Sequence, residues 1–315
     1  MRILVTGGCG YVGTRLTQAL LARTKAAVTV LDTQWFGNFL PAHPRLDVVR
    51  MDMRAIDAFD LAPFDTIFHL ANIANDPAVE LNPYASWEVN VLATMRLMDK
   101  AVKQGVLHLI YASSGSVYGV RSEPEVTEDL DLVPISEYNK TKMVAERVVM
   151  SYGGPDSPLL TTIIRPATVC GVSPRMRLDL TVNLLTMHAL SRGEITVFGG
   201  SQVRPNIHLD DLVDLYLFLM DERIGGVYNA GFENLSVMEI AQFIATQVPA
   251  TITVQPSDDP RSYRLSSKRL LAAGFTPTRT VATAVADLAE AYRAGQLTDD
   301  PRWHTVAWMK EHNLG

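Results

Sequence analysis

The chain has 315 residues, and at ~150 residues per domain that length predicts about two domains, or one large α/β unit with an elaborated end. Hydrophobic residues make up 47% and charged residues 20%, enough apolar material for a sizeable core and no composition for extended disorder. Lysine and arginine total 28 against 34 acidic residues, and a net charge of -6 without a basic stripe excludes nucleic acid while leaving room for a small anionic ligand.

Short β-branched runs alternate with helical patterns through the first half, the signature of a doubly wound parallel sheet of the Rossmann type in an α/β protein. Strands are expected at Ile3 to Thr6, Val28 to Asp32, Val48 to Met51, Thr66 to Leu70, Leu107 to Ala112 and Thr161 to Arg165. Helices are expected at Gly13 to Arg23, at Trp87 to Gln104 with Ser86 as N-cap, and at Glu137 to Tyr152 with Ser136 as N-cap. From Ala167 the sequence becomes turn-rich, with helices at Leu180 to Ser191, Asp210 to Asp221 and Val237 to Gln247, and a strand at Gly226 to Ala230 that returns to the main sheet. The expected organisation is a dinucleotide-binding domain over residues 1–166, with 205–231 returning to it, and a smaller α+β substrate domain from 167–204 and 232–315. The block after Leu297, with Trp303 and Trp308, receives no chemistry from its sequence.

Cys9 and Cys170 are far apart and have no Cys/His companions at metal-ligand spacing, so free thiols, no metal and a cytoplasmic setting are expected. The opening run reads as a strand rather than a signal segment. Apolar stretches such as Leu212 to Met220, interrupted by Asp214, fall short of the ~20 residues that span a bilayer, so no membrane role is expected.

Between the first strand and the first helix lies Thr6-Gly7-Gly8-Cys9-Gly10-Tyr11-Val12-Gly13. It reads as G-x-G-x-x-G through Gly8, Gly10 and Gly13, or as T-G-x-x-G-x-x-G through Gly7, Gly10 and Gly13. Either lets backbone N-H groups and the positive helix end approach a pyrophosphate. A sharp structural turn uses glycine in the same way, and the tie is broken by Asp32, which ends the second strand nineteen residues beyond Gly13. A carboxylate there accepts the adenosine ribose hydroxyls and repels a 2'-phosphate, which favours NAD over NADP. Asp52, with Met53 after the third strand, reads either as a cap on the adenine edge or as a plain solvated turn acid.

Tyr138 and Lys142 stand four residues apart on one helical face. A tyrosine with a pKa of about 10 is a poor base near neutrality, and an adjacent ammonium would lower that value by favouring phenolate. Upstream, Tyr111 to Gly119 places a run of serines at the carboxyl end of a strand, where ligands gather in doubly wound sheets. A serine there would hold the substrate oxygen that Tyr138 deprotonates.

Taken together these residues resemble the extended short-chain dehydrogenase/reductases, in particular the nucleotide-sugar epimerase/dehydratase branch. The resemblance covers nearly the whole chain and includes Thr6 to Gly13, Asp32, Asp52, His69-Leu70-Ala71-Asn72, Asn90, Ser113 to Gly119, Tyr138 to Lys142, Arg165-Pro166 and Arg204 to Asp211. It implies that Ser114 and Tyr138 contact the reacting hydroxyl, with Ser116 beside them. It also implies that Lys142 holds the nicotinamide ribose and depresses the Tyr138 pKa. Pro166 would lie by the nicotinamide, and Tyr11, Val12, Leu70, Ala71, Asn72 and Asn90 would join the cofactor site. Arg204 and Arg261 would bind a nucleotide diphosphate, Asn183 would line the substrate cleft, and Arg175 and Arg177 offer two more cations near it. Relatives pair through the helices Trp87 to Gln104 and Glu137 to Tyr152, where Met143, Val148 and Val149 fit a homodimer interface.

The 4,6-dehydratases of the family carry an Asp-Glu pair directly after the catalytic hydroxyl, and here those positions are Gly115 and Ser116. The glutamate found there in sugar-acid decarboxylases is missing too. Epimerisation needs no further acid, so the leading expectation is an NAD-dependent nucleotide-sugar epimerase working through a 4-keto intermediate. The alternative is a nucleotide-sugar 4-dehydrogenase or ketoreductase, since Gly171 to Asn183 is similar to relatives that oxidise nucleotide-linked heptoses. A non-catalytic NAD sensor is a third reading, weakened by the presence of Ser114, Tyr138 and Lys142 together.

Overall fold

The computed structural model describes residues 1–258 and 262–314. In chain order the elements are β1 (Arg2–Thr6), α1 (Tyr11–Arg23), β2 (Ala27–Asp32), β3 (Leu46–Arg50), β4 (Thr66–His69), α2 (Asp76–Val79), α3 (Pro83–Trp87), α4 (Ala93–Lys103), β5 (His108–Ala112) and α5 (Glu137–Tyr152). Next come β6 (Leu160–Pro166), β7 (Thr168–Cys170), α6 (Thr181–Arg192), β8 (Glu194–Phe198), β9 (Val203–His208), α7 (Leu209–Asp221), β10 (Gly226–Ala230), β11 (Glu233–Ser236) and α8 (Val237–Gln247). The last are β12 (Thr251–Gln255), α9 (Lys268–Ala272), α10 (Val281–Arg293) and α11 (Thr305–Glu311).

Seven strands form one parallel sheet in the order β10-β6-β5-β4-β1-β2-β3. The central strands β1, β4, β5 and β6 are buried on both faces because their apolar residues alternate between two helical layers, whereas the edge strand β3 is not. Ile3 and Val5 face α1 and α7, packing with Leu16, Leu212 and Tyr216, whereas Leu4 faces Leu97, Met98 and Val149 of α4 and α5. Strand order reverses between β1 and β4, so a crevice opens at the carboxyl ends of these strands, where doubly wound sheets bind their ligands.

The second half of the chain builds smaller units on that end. β9 is sandwiched between β7 and β11, β8 pairs with β12, and α6, α8 and α10 close over Val182, Leu185, Ile195, Val197 and Ile240. Gly226–Ala230 does join the main sheet, pairing with β6, and α7 packs against it. The start of the 205–231 stretch does not, since Pro205 to His208 belongs to β9. None of the helices of the described residues is long and apolar enough to cross a membrane.

The helix expected over Trp87 to Gln104 begins earlier and is broken. Asn82, rather than Ser86, caps it by accepting from the Ala85 N-H at 3.1 Å, with Pro83 in the first turn, while Ser86 is buried and donates back to the Asn82 carbonyl. A single wide π turn over Glu88–Leu92 then separates α3 from α4. Ser136 does cap α5, accepting from the Asn139 N-H at 3.2 Å. Of the positions expected on a dimer face, Val149 is fully buried in the core, and Met143 and Val148 are partly buried against the two sheet layers.

Candidate active site

A cavity of about 780 Å³ fills the crevice, running from the glycine turn across the ends of β1, β4 and β5 to β9. Its size lies within the ~300–1,000 Å³ typical of ligand and cofactor pockets. Gly7, Gly10 and Gly13 line it, whereas Gly8 is turned away: a Cβ there would meet Val30 at 2.6 Å. The T-G-x-x-G-x-x-G pattern is therefore the one the backbone adopts. Gly7 has φ +73 with Ala71 backbone 2.6 Å from where its Cβ would be, and a Cβ on Gly13 would lie 2.2 Å from the Gly7 carbonyl. No larger residue fits either place. Gly10 opens α1 without any side-chain cap, so the first N-H groups of the helix remain available to an anion.

Asp32 stands at the end of β2, where its carboxylate accepts from the Cys9 N-H at 3.0 Å and the Gln34 N-H at 2.7 Å. Burial raises its pKa and these two bonds oppose the rise. The Cys9 thiol, buried and next to Asp32, is pushed up to about 12 and is no nucleophile. Asp52 lines the cavity, but it also caps the short helix Met53–Ala58 and forms an ion pair with Arg54 at 2.7 Å. Burial works against its charge, yet the bonds from Arg54 prevail and its pKa lies below the ordinary carboxylate value. Met53, Leu70, Ala71, Asn72, Tyr11, Val12 and Pro166 also line the cavity.

Asn90 and Asn183 do not. Asn90 is buried in the π turn, where its amide accepts from the Ile73 N-H at 2.8 Å and donates to the Ile73 carbonyl and the Thr141 hydroxyl, pinning the loop after β4. Asn183 is fully buried, accepting from the Gly171 N-H at 3.0 Å and donating to the Tyr11 hydroxyl and the Arg177 carbonyl. In each, both amide N-H donors and one acceptor position are used by the protein.

On the substrate side, Ser114, Ser116, Tyr138 and Lys142 converge on the cavity. Ser114 caps the turn Gly115–Tyr118 and hydrogen-bonds the Ser116 hydroxyl at 2.7 Å, Ser116 donates onward to Asn139, and Ser114 is near enough to the Tyr138 phenol to favour its ionised form. Burial raises the Tyr138 pKa to about 12, against which Arg177 and Ser114 act. Arg177 is thus a cation that favours phenolate, in addition to the Lys142 expected from the sequence. Lys142 is buried, donates to the Ala112 carbonyl at 2.7 Å, and lies 4.9 Å from the Tyr111 ring centroid. Burial lowers its pKa to about 7, opposed by Glu146. Glu146 is itself fully buried, forming an ion pair with Arg165 at 2.7 Å and accepting from Ser113.

Arg177 is clamped by Asp179 through two bonds of 2.9 Å and still faces the cavity. Arg175 and Arg204 line it too, while Arg261 lies outside the described residues. Several wall residues are not expected from the sequence. Trp35 and Phe36 come from the loop after β2, and Thr305, Val306 and Met309 come from α11. The Trp308 indole donates to the Trp35 carbonyl at 2.8 Å, and Trp303 packs on Phe39 at 5.1 Å, so the C-terminal block closes the dinucleotide end of the cavity. The density of aromatic residues at the chain end is the only signal of this role in the sequence.

Comparison with known proteins agrees with this geometry. The chain is 26% identical over 311 residues to the UDP-glucose 4-epimerase of Lactobacillus helveticus, covering 89% of this chain and 91% of that one. It is 29% identical over 282 residues to UDP-glucuronic acid decarboxylase 1 of Danio rerio, covering 84% of this chain and 65% of the relative. The crystal structure of DesIV, a dTDP-glucose 4,6-dehydratase from Streptomyces venezuelae with NAD bound, matches with a TM-score of 0.84 at 25% identity, covering 98% of this chain and 100% of DesIV. A sequence model of the NAD dependent epimerase/dehydratase family matches residues 3–231. The glycine cradle, the acid at the end of β2 and the Ser114–Tyr138 contact accord with that match, and the chain belongs to the NAD-dependent epimerase/dehydratase family of nucleotide-sugar enzymes.

Proposed function

We propose that this enzyme epimerises a nucleotide-linked sugar at C4 through a 4-keto intermediate, without dehydration. Bound NAD+ supplies the acceptor and later the donor of the C4 hydride. Tyr138, beside Ser114, takes the proton of the C4 hydroxyl as the keto group forms and returns it as the hydroxyl is restored. Lys142 holds the nicotinamide ribose and Asp32 the adenosine ribose. Arg204, with Arg177 beside Tyr138, receives the substrate diphosphate, for which guanidinium forks are suited. Residues 1–166 carry the cofactor and catalytic groups, most of the remainder forms the substrate side, and the working form is a cytoplasmic homodimer.

The observation that carries this reading is the chemistry of the two residues after Ser114. Gly115 has no side chain, so no acid stands at this place. The Ser116 hydroxyl is occupied by Ser114 and Asn139. Neither position offers a proton donor or acceptor for chemistry at C5 or C6. Relatives of this chain include a decarboxylase and a dehydratase, so the likeness alone does not select the reaction. The test is to incubate the purified protein with NAD+ and a panel of UDP-, GDP-, CDP- and ADP-sugars. Interconversion of a C4 pair with no net NADH is the expected result. A released keto sugar with stoichiometric NADH would instead support the dehydrogenase reading.

A further inference from the structure

Arg175 is 2% exposed, yet it lines the cavity and makes no ion pair with any carboxylate among the described residues. Its guanidinium lies over the Phe36 ring at 4.1 Å, one Nη donates to the Met176 carbonyl at 3.2 Å, and the other donates to the Thr305 hydroxyl of α11 at 3.3 Å. The Nε-H has no partner among the described residues. Burial, with Arg177 close by, lowers its pKa to about 9, which leaves it charged at neutral pH. A buried cation with an idle donor is costly unless something neutralises it.

The position of Arg175 indicates what that something is. The segment carrying it is pinned across the start of α1: the Ser173 hydroxyl donates to the Tyr11 carbonyl at 2.8 Å, and the Tyr11 hydroxyl donates to the Gly171 carbonyl at 2.7 Å. The guanidinium is thus carried by a segment tied to the first residue of α1, whose N-terminus is uncapped, and it feels the charge of Asp32. In the dinucleotide that Asp32 and the glycine turn accept, the group between the adenosine ribose and the helix end is the diphosphate.

We propose that Arg175 is a ligand of the cofactor diphosphate, delivered from the second half of the chain and held in place by Phe36 and by Thr305 of α11. The cofactor is then clasped from above by a segment over α1 and by the C-terminal helix, as well as cradled from below by the glycine turn. This assignment rests on the dinucleotide site and is independent of whether the reaction is epimerisation.

Calorimetric titration of nucleotide-free protein tests it with three probes: ADP-ribose, adenosine and UDP. Arg175→Met should weaken ADP-ribose by about 10- to 100-fold, the range of one charge-assisted contact, while adenosine and UDP bind as in the wild type. Equal losses for ADP-ribose and adenosine would mean that Arg175 only balances Asp32, and a loss confined to UDP would place it on the substrate diphosphate. Unchanged ADP-ribose affinity would also overturn the assignment. Should the methionine variant lose its fold, Arg175→Gln, which can still donate to Met176, makes the same comparison.

Discussion

The Lys142 ammonium donates to the Ala112 carbonyl at 2.7 Å, an anchor at the end of β5 that holds it under the Tyr111 ring. The four-residue spacing from Tyr138 brings Lys142 into the site, and a charge that acts on the phenol comes from Arg177, 39 residues along the chain. The tuning of the base thus draws on a cation from the second half of the sequence. Replacing Arg177 by Met should raise the Tyr138 pKa further, since the cation favours phenolate. The rising limb of the pH–rate profile should move to higher pH, with about 10- to 100-fold lower kcat at pH 7. A loss equal at every pH would show that Arg177 only binds substrate.

Tyr138→Phe removes the phenol beside Ser114 and should reduce kcat by about 100-fold or more, while NAD still co-purifies with the protein. Mass analysis of the nucleotide released on denaturation checks the second half of this outcome. An active Phe variant would remove Tyr138 from the chemistry.

Glu146 is fully buried against Arg165, Ser113 and the charge of Lys142. Glu146→Gln leaves the Arg165 guanidinium buried without its counter-ion, at a cost of about 3–5 kcal/mol in urea unfolding. The same change removes a charge that raises the Lys142 pKa, so Lys142 should titrate below about 7 in the variant. NMR of the lysine ammonium measures this second effect, which a purely structural defect would not produce.

Burial lowers the pKa of His69 to about 3 and that of His108 to about 4. Both are neutral in the folded state, and an unfolded chain takes up these protons first as the pH falls through about 6.5. Stability should therefore decline from pH ~6.5 toward pH 4, with the contribution fully present above pH ~6.5. His108→Gln, which can still bond the Thr162 hydroxyl held by the wild-type imidazole at 2.8 Å, should flatten that decline in melting experiments run across the range.

The features legible in the sequence are those whose parts lie close together in it. The glycine turn, Asp32 at the end of the next strand and the Tyr138–Lys142 spacing are local patterns whose geometry comes from one strand, one turn or one helix. Asn90 and Asn183 stand out in the sequence, but the loops they fix through Ile73, Thr141, Gly171 and Tyr11 do not, because an asparagine that fixes a loop and one that touches a ligand look alike in a motif. The roof of the cavity is invisible there. Trp308 meets Trp35 across 273 residues, and Thr305 meets Arg175 across 130, separations at which no periodicity or spacing carries information. The second half is legible mainly in its longer helices, since β7, β8, β9 and β11 are three to six residues long and lack clean alternation.

The most direct test of the central claim uses a nucleotide sugar deuterated at C4 and accepted by the enzyme. Epimerisation through a retained hydride predicts that the C4 epimer keeps its deuterium, in ordinary water, with no reduced cofactor accumulating and no solvent hydrogen entering at C5. Loss of the label into free reduced cofactor with a keto sugar in solution, or exchange at C5 with loss of water, would contradict it.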